Sequence, residues 1–194
     1  MPGTAPTPPE DPRPPVLSGE LLDLHPLGAD ALAAWVDGDA AALTALTGAV
    51  FPDPAVAPPL MDDALPFVRD RLRGHPAELG WWAWLCVDRA GGEVVGSAGF
   101  AGPPGADGAV VLGYATYPRH AGRGAASEAA DLLAGWALRQ PGVRVVRVTV
   151  PVDHVASLRV AARAGFTRTG TGTDPEAGEV AVLERTAGGA PPAG

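Results

Sequence analysis

The chain has 194 residues, of which 46% are apolar, and it carries a formal net charge of −8 at pH 7. This length allows one domain with a hydrophobic core, and the apolar fraction excludes a wholly disordered chain. The acidic balance argues against a nucleic-acid partner, since phosphate binding favours a basic face. No apolar stretch approaches the roughly 18 residues that a membrane-spanning helix requires, so we expect no membrane partner.

The counts of individual residue types limit the kinds of site and the cellular compartment further. Cys86 is the single cysteine, which excludes an internal disulfide and a thiolate metal cluster, and we expect no metal site. The proline-rich start does not resemble a secretion signal, so we expect a cytoplasmic protein. All fourteen basic residues are arginine, and Lys, Asn and Ile are absent. We interpret that pattern as a high-GC coding bias.

Composition divides the chain into three parts. We expect a disordered Pro-rich arm over residues 1–15, one domain over residues 16–186 and a flexible tail over residues 187–194. In the first part of the domain, periodicity and proline positions predict one strand, three helices and a loop. These are the strand Val16–Leu24, the helices Asp30–Trp35, Ala40–Leu46 and Met61–Arg73, and the loop Phe51–Pro59.

The second part of the domain begins with three strands joined by short connections, which predicts an antiparallel meander. A helix, a strand and a second helix follow, and two short strands end the domain. In chain order the ranges are Trp82–Val87, Glu93–Phe100, Ala109–Tyr117, Gly124–Leu138, Val143–Val150, a helix capped by Asp153 and ending at Ala164, Phe166–Gly170 and Glu179–Glu184. This order predicts an α+β domain with a mixed, mostly antiparallel central sheet flanked by helices.

The segment Arg119–Gly124 joins the third meander strand to a helix. A helix start leaves backbone N–H groups without intrahelical partners, and the helix dipole makes that end positive. Gly122 and Gly124 have no Cβ, so a phosphate group can approach the backbone closely. Arg119 and Arg123 are placed to add charge at the rim. The alternative is an ordinary tight turn, and the segment lacks the third glycine of a dinucleotide fingerprint.

The pattern Arg119-x-x-Gly122-x-Gly124 resembles the coenzyme A-binding signature of the GNAT superfamily of acetyltransferases. A second segment, from His154 to Phe166, resembles the Asn-x-x-Ser…Lys/Arg-x-Gly-Phe segment of the branch that acetylates N-terminal alanines of ribosomal proteins. The likeness covers about residues 80–186, with the two motifs in the family's order. The residue pairs flanking the first motif also resemble that branch: Gly113-Tyr114 and Glu128-Ala129.

The resemblance implies acetyl-CoA as co-substrate and a strand that separates from its neighbour so that the pantetheine arm enters between them. The strand end and the loop would hold the cofactor, and one strand N–H would polarise the thioester carbonyl. The implied cofactor-binding residues are Ala115, Thr116, Tyr117, Arg119, His120, Ala121, Gly122, Arg123, Gly124, Ala125, His154 and Ser157, with Tyr117 and Ser157 as the catalytic ones.

Two positions depart from the family pattern. His154 stands where the family commonly has Asn, and it is either a cofactor contact or only a residue of the first helical turn. Ala161 stands where many members have a tyrosine that protonates the leaving thiolate. We therefore expect Ser157 to be the proton donor or hydrogen-bond partner of that thiolate; the alternative is a helix serine bonded to its own backbone.

Other side chains leave the assignment open. The general base is Glu78, Asp88, His75, Asp107 or water, and spacing does not select among them. Glu128 near the loop is expected to be structural. The tryptophans Trp81, Trp82 and Trp84 form either an acceptor-pocket wall or, as we favour, core packing on alternate strand faces. Cys86 is expected to be an inert buried thiol.

The resemblance implies transfer of an acetyl group to a primary amine, either a protein N-terminus or a small amine, by direct attack in a ternary complex. A homodimer is possible, as in related enzymes. The alternative function is a non-catalytic acyl-CoA-binding sensor or partner module, which Ala161 and the unassigned base keep open. A nucleotide- or FAD-binding domain is the least favoured hypothesis.

Overall fold

The computed structural model describes residues 14–58 and 63–188, and this part of the chain contains eight strands and five helices. Their bounds are β1 Leu17–Ser18, β2 Leu22–Pro26, α1 Ala29–Val36, α2 Ala40–Thr47, α3 Ala64–Gly74, β3 Ala83–Asp88, β4 Val94–Phe100, β5 Ala109–Thr116, α4 Ala125–Leu138, β6 Val145–Pro151, α5 Val155–Arg163, β7 Thr167–Asp174 and β8 Gly178–Thr186. The expected arm lies outside the described residues up to residue 13, as does the expected tail from residue 189.

All eight strands form one sheet in the order β1-β2-β3-β4-β5-β6-β8-β7. Every neighbouring pair is antiparallel except β5 and β6, which run parallel. The parallel pair requires a crossover, and α4 makes it. The predicted α+β class, with a mixed and mostly antiparallel sheet, is therefore confirmed.

Two hydrophobic cores lie on opposite faces of the sheet. The first joins α4 and α5 to the strands, for example through Leu133 and Val148, and the second joins α1 and α3 through Leu32. Side chains alternate between the faces of a strand. Consequently Trp84 belongs to the first core and its neighbour Leu85 to the second.

The tryptophans of the meander are core residues, as the favoured interpretation predicts. Trp82 and Trp84 are buried in different cores, and the Trp84 indole N–H donates to the carbonyl of Gly80 at 2.7 Å. Trp81 is partly buried, with its ring centroid 4.9 Å from that of Trp136. These indoles fix the start of β3 against both layers of helices.

Three element predictions need correction. The single strand expected over Val16–Leu24 is two strands, because the chain bends at Gly19, whose N–H donates to the Leu22 carbonyl at 2.8 Å. The cap of α5 is His154, not Asp153, since the His154 ring accepts the Ser157 N–H. The last two strands are longer than expected and are joined by a tight turn, in which Asp174 accepts two backbone N–H groups.

Candidate active site

The central feature of the sheet is an opening between β5 and β6. The two strands pair over three residues, from Ala109–Val111 on β5 to Val145–Arg147 on β6, and no further pairing joins them in the described chain. Beyond that point β5 continues beside β4 to Thr116, and β6 continues beside β8 to Pro151. The sheet therefore holds a wedge-shaped gap bounded by backbone on both sides.

Alternation along β5 decides which amides face this gap. The Tyr117 N–H donates to the Val95 carbonyl at 3.0 Å, and the Val111 carbonyl accepts the Ala101 N–H at 2.9 Å. In an antiparallel pair, hydrogen-bonded residues alternate with outward-facing ones. Odd-numbered residues therefore bond to β4. The amide of Leu112 belongs to the last paired position with β6, and the amides of Tyr114 and Thr116 point to the gap. Among the three strand residues expected to bind the pantetheine arm, only Thr116 directs its N–H there.

The loop after β5 leads into the start of α4. A 3-10 turn over Pro118–His120 is followed by Gly122 with φ of 76° and Gly124 with φ of 90°. Both angles lie in the left-handed region that glycine adopts without strain. Ala121, Gly122 and Arg123 are exposed, and no described side chain caps the helix. The first-turn N–H groups of this 14-residue helix are thus open to an anion.

The side chains of Arg119 and His120 contact each other and Glu93. The Arg119 Nε donates to His120 Nε2 at 2.8 Å, and the Glu93 carboxylate lies 3.8 Å from both side chains. The Arg119 guanidinium also lies 5.8 Å from the centre of the Tyr117 ring. His120 is buried, and its N–H donates to the Tyr117 carbonyl at 2.9 Å. Arg123 is exposed, as is Arg119.

Glu128 is structural, as expected. Its carboxylate accepts the backbone N–H groups of Glu20, Leu21 and Leu22 at 2.6 to 3.1 Å. This anchors the turn between β1 and β2 to the first turn of α4. A Cβ on Gly19 would lie 2.5 Å from the Glu128 carboxyl carbon, so a larger residue there would displace the carboxylate from these N–H groups. Glu128 therefore holds the first turn of α4 against the segment between β1 and β2, beside the open N–H groups of the helix.

The start of α5 contrasts with that of α4 because a side chain caps one of its backbone N–H groups. The His154 Nδ1 accepts the Ser157 N–H at 3.1 Å. The Tyr114 hydroxyl lies 3.0 Å from Ser157 Oγ and donates to the Ser157 carbonyl at 3.1 Å. Burial raises the pKa of Tyr114, partly offset by the bond to Ser157. The structure thus brings Ser157 to β5 beside the gap, and His154 stands beside it as a helix cap.

Tyr114 is the residue that sequence reasoning missed. It belongs to the Gly113-Tyr114 pair that resembles the ribosomal-protein branch, but that pair received no role. Counting back by two from Thr116 places Tyr114 on the same strand face, which is the signal that would have identified it. Ala161, in contrast, is fully buried in the first core and offers no hydroxyl.

Glu78, one of the four candidate bases, is held in a structural ion pair. Its carboxylate accepts the Arg71 Nε at 2.8 Å, a second Arg71 nitrogen and the Trp82 indole N–H at 2.9 Å. The bond from Arg71 lowers the pKa of Glu78, with a smaller contribution from Trp82. A carboxylate stabilised in its charged form is a weaker base.

The other three candidates lie in turns and helix ends. Asp88 accepts the Gly91 N–H at 2.8 Å in the turn between β3 and β4. Asp107 accepts the Ala109 N–H at 3.1 Å, beside the paired end of β5 and not the open end. His75 is an exposed residue at the end of α3. The structure does not gather these groups at the gap, and the base stays unassigned.

A cavity of about 490 Å³ lies at the end of β5. Tyr117 packs against the second core, so this cavity is on the face of the sheet that α1 and α3 cover. The Tyr117 hydroxyl donates to the Val56 carbonyl across it. Its lining residues are Pro52, Pro54, Val56, Ala57, Tyr117, Pro118 and Arg119.

Two further observations bear on the chemistry. Cys86 is buried, and burial raises the pKa of its thiol to about 12, so it is held as the unreactive thiol. Across residues 14–58 and 63–188, no cluster of three or more His, Cys, Asp or Glu side chains is arranged to hold a metal ion. The same residues include no helix long and apolar enough to cross a membrane.

Comparison with known proteins agrees with this geometry. A curated relative, the uncharacterized N-acetyltransferase YjdG of Bacillus subtilis (strain 168), is 31% identical over 104 residues, covering 54% of this chain and 62% of the relative. The match therefore spans less than two thirds of that relative's length.

Solved structures share the fold at low sequence identity. The ribosomal-protein-S5-alanine acetyltransferase of Vibrio fischeri superposes with a TM-score of 0.63 at 12% identity, covering 90% of this chain and 98% of that one. RimL, the ribosomal L7/L12 alpha-N-protein acetyltransferase solved with coenzyme A, gives 0.62 at 18% identity over 89% and 98%. The model of the acetyltransferase (GNAT) domain matches residues 30–167. The chain therefore belongs to the GNAT acetyltransferase-domain family.

Proposed function

We propose that this protein transfers an acetyl group from acetyl-CoA to a primary amine, by direct attack of the amine in a ternary complex. The observation that carries the proposal is the gap between β5 and β6, which opens beside the uncapped start of α4. An extended polar chain can bond to the edge of β5 while its phosphates reach the helix start. Family membership supports the same co-substrate.

In this proposal the loop before α4 and the strand β5 each bind a different part of acetyl-CoA. Backbone N–H groups from Gly122 to Ala125 would hold the pyrophosphate, with Arg123 adding charge at the exposed rim. The N–H groups of His120 and Ala121 donate instead to the carbonyls of Tyr117 and Pro118. The amides of Tyr114 and Thr116 would bond the pantetheine arm. Bound acetyl-CoA supplies an activated acyl group as a thioester.

Thr116 takes the role of the donor that polarises the thioester carbonyl. Its N–H is directed to the gap, whereas the Tyr117 N–H donates to Val95. A preorganised donor of this kind is worth about 10²–10³ in rate. Tyr117 instead contributes its side chain to the cavity on the other face of the sheet, which we propose as the acceptor side.

Ser157 is proposed as the hydrogen-bond partner of the leaving thiolate. Its hydroxyl is bonded to Tyr114 next to the gap, and Ala161 offers no alternative donor. His154 holds the backbone of Ser157 as the cap, and a direct cofactor contact by its exposed ring is part of the proposal. The proposed acceptor is a protein N-terminus or a small amine in the cytoplasm, and the proposed assembly is a homodimer or a monomer.

Thermal unfolding with acetyl-CoA, coenzyme A and NAD gives the first test. A ligand at 100 times its Kd adds about 2.7 kcal/mol to the free energy of unfolding. We expect both coenzyme A forms to stabilise the protein and NAD to have no effect. No stabilisation by either form would overturn the cofactor assignment, and stabilisation by NAD alone would favour a dinucleotide site.

A thiol-release assay over a panel of amines then tests turnover. Because Cys86 is buried, the thiol reagent reports released coenzyme A with little background from the protein. The second candidate function is a non-catalytic acyl-CoA sensor, which the buried Ala161 and the engaged Glu78 favour. Cofactor binding without turnover on any acceptor would support the sensor.

A further inference from the structure

Tyr114 links the two sides of the proposed catalytic gap. It lies where β5 still pairs with β4 but no longer with β6, and its partly buried side chain packs against the first core on the face that α4 and α5 cover. From there its hydroxyl reaches the first turn of α5, 43 residues later in the chain, at 3.0 Å from Ser157 Oγ. One side chain thus connects the strand that would hold the thioester with the helix that carries the proposed thiolate partner.

The protons of this contact allow two arrangements. A tyrosine hydroxyl has a single proton to donate. If that proton goes to the Ser157 carbonyl at 3.1 Å, the Ser157 hydroxyl donates its own proton back to Tyr114. If instead Tyr114 donates to Ser157 Oγ, the Ser157 hydroxyl keeps its proton and can donate it in a hydrogen bond to a different acceptor. The two acceptors on one residue are close enough for the hydroxyl to change between them.

We propose that Tyr114 is the positioning residue for Ser157: by donating to Ser157 Oγ it directs the serine proton to the leaving sulfur. This rests on the proposed function. When the C–S bond breaks, its electron pair goes to sulfur, and the thiolate accepts the Ser157 O–H. The thiolate takes its proton from solvent after release, so neither hydroxyl has to lose one.

Three features of the site support this role. Burial keeps the pKa of Tyr114 above its ordinary value, so the phenol stays protonated and remains a donor. The His154 cap fixes the backbone of Ser157, so rotation of the two hydroxyl groups is the main freedom left. The fully buried Ala161 means that the second turn of α5 supplies no competing hydroxyl.

A double-mutant cycle of Tyr114→Phe and Ser157→Ala tests the inference. We expect Ser157→Ala to lower kcat about 10²-fold and Tyr114→Phe about tenfold, each with KM for acetyl-CoA nearly unchanged. Because Tyr114 acts through Ser157, the double variant should lie within about threefold of Ser157→Ala alone. A merely structural Tyr114 would give independent losses, and the double variant would fall about 10³-fold.

Thr47→Ala is the matched control, since it also removes a helix hydroxyl that bonds to a backbone carbonyl, Leu43 at 2.7 Å. It should leave kcat unchanged. Ser157→Thr keeps a hydroxyl and should retain most of the activity, which keeps the test valid if Tyr114→Phe proves unstable. Additive losses, or full activity of Tyr114→Phe, would overturn the inference. Absence of turnover by the unaltered protein would instead overturn the proposed function.

Discussion

The starts of α4 and α5 lie near the same gap but treat their backbone amides in opposite ways. The α4 start follows Gly124 at φ of 90° and has no cap among the described side chains. The α5 start is closed by His154, and the hydroxyl of its Ser157 is bonded to Tyr114. A helix end with open N–H groups is suited to an anionic ligand. A helix end with satisfied N–H groups is suited to holding one side chain still, so the proposed binding and positioning roles fall on two different helices.

The largest expected effect comes from closing the open start. Gly124→Asp would place a capping carboxylate where the pyrophosphate is expected, and at a backbone angle that L-residues rarely adopt. We expect acetyl-CoA affinity to fall about 100-fold or more, measured by titration calorimetry, because the added charge repels phosphate. Gly124→Ala carries the same strain without the charge and should lose much less. Equal losses in both variants would attribute the effect to strain alone.

The brace beside the open start is the next target. Glu128→Gln would replace a carboxylate that accepts three backbone N–H groups by an amide with one acceptor oxygen. We expect about 2 kcal/mol less stability in denaturant unfolding, since hydrogen bonds to a charged group are worth about 1.5–3 kcal/mol. The exposed Glu176→Gln serves as the control and should be neutral. Unchanged stability of Glu128→Gln would mean that the hairpin holds without this anchor.

Glu78 belongs to neither helix start, so its effect on stability at different pH values serves as a reference for the two starts. Glu78 has a lowered pKa, so its contribution is fully present above its ordinary value of 4.5 and is lost as pH falls through the folded value. Glu78→Gln should cost about 1–2 kcal/mol at pH 7, and the difference from the unaltered protein should shrink below pH 4.5. Acetyl-CoA affinity at pH 7 should be unchanged. A lost affinity would place Glu78 in the active site.

The smallest expected effect concerns the closed start. His154→Ala removes the cap of α5 and should cost about 1 kcal/mol in thermal unfolding, the usual value of a cap. His154→Asn restores a capping side chain and should recover that stability. If both variants keep their affinity for acetyl-CoA, the ring is only a cap. A loss of affinity in His154→Ala that Asn restores would add a cofactor contact to its role.

Sequence patterns were sufficient where a feature is local. The helix from Ala125 to Leu138 and the glycine loop before it follow from spacing and from glycine positions, and both were predicted. The predicted cap of α5 was wrong because Asp153 and His154 are adjacent and aspartate is the stronger capping residue in general. The helix begins at Val155, which puts His154 and not Asp153 at the capping position.

Features formed by distant segments were not predictable in the same way. The length of the paired region between β5 and β6 depends on how α4 crosses the sheet, and no residue pattern states it. The contact of Tyr114 with Ser157 joins residues 43 positions apart. Glu128 was expected to be structural, but its partners Leu21 and Leu22 lie more than 100 residues earlier.

The gap also has a consequence for how the protein behaves when empty. A sheet that opens in its middle has two additional strand edges, and unpaired edges are where other chains add by β-augmentation. Acetyl-CoA bound as proposed would occupy the edge of β5 in the place of a neighbouring strand. Hydrogen exchange at the amides of Tyr114 and Thr116 would test this directly, because we expect both to gain protection when acetyl-CoA is bound.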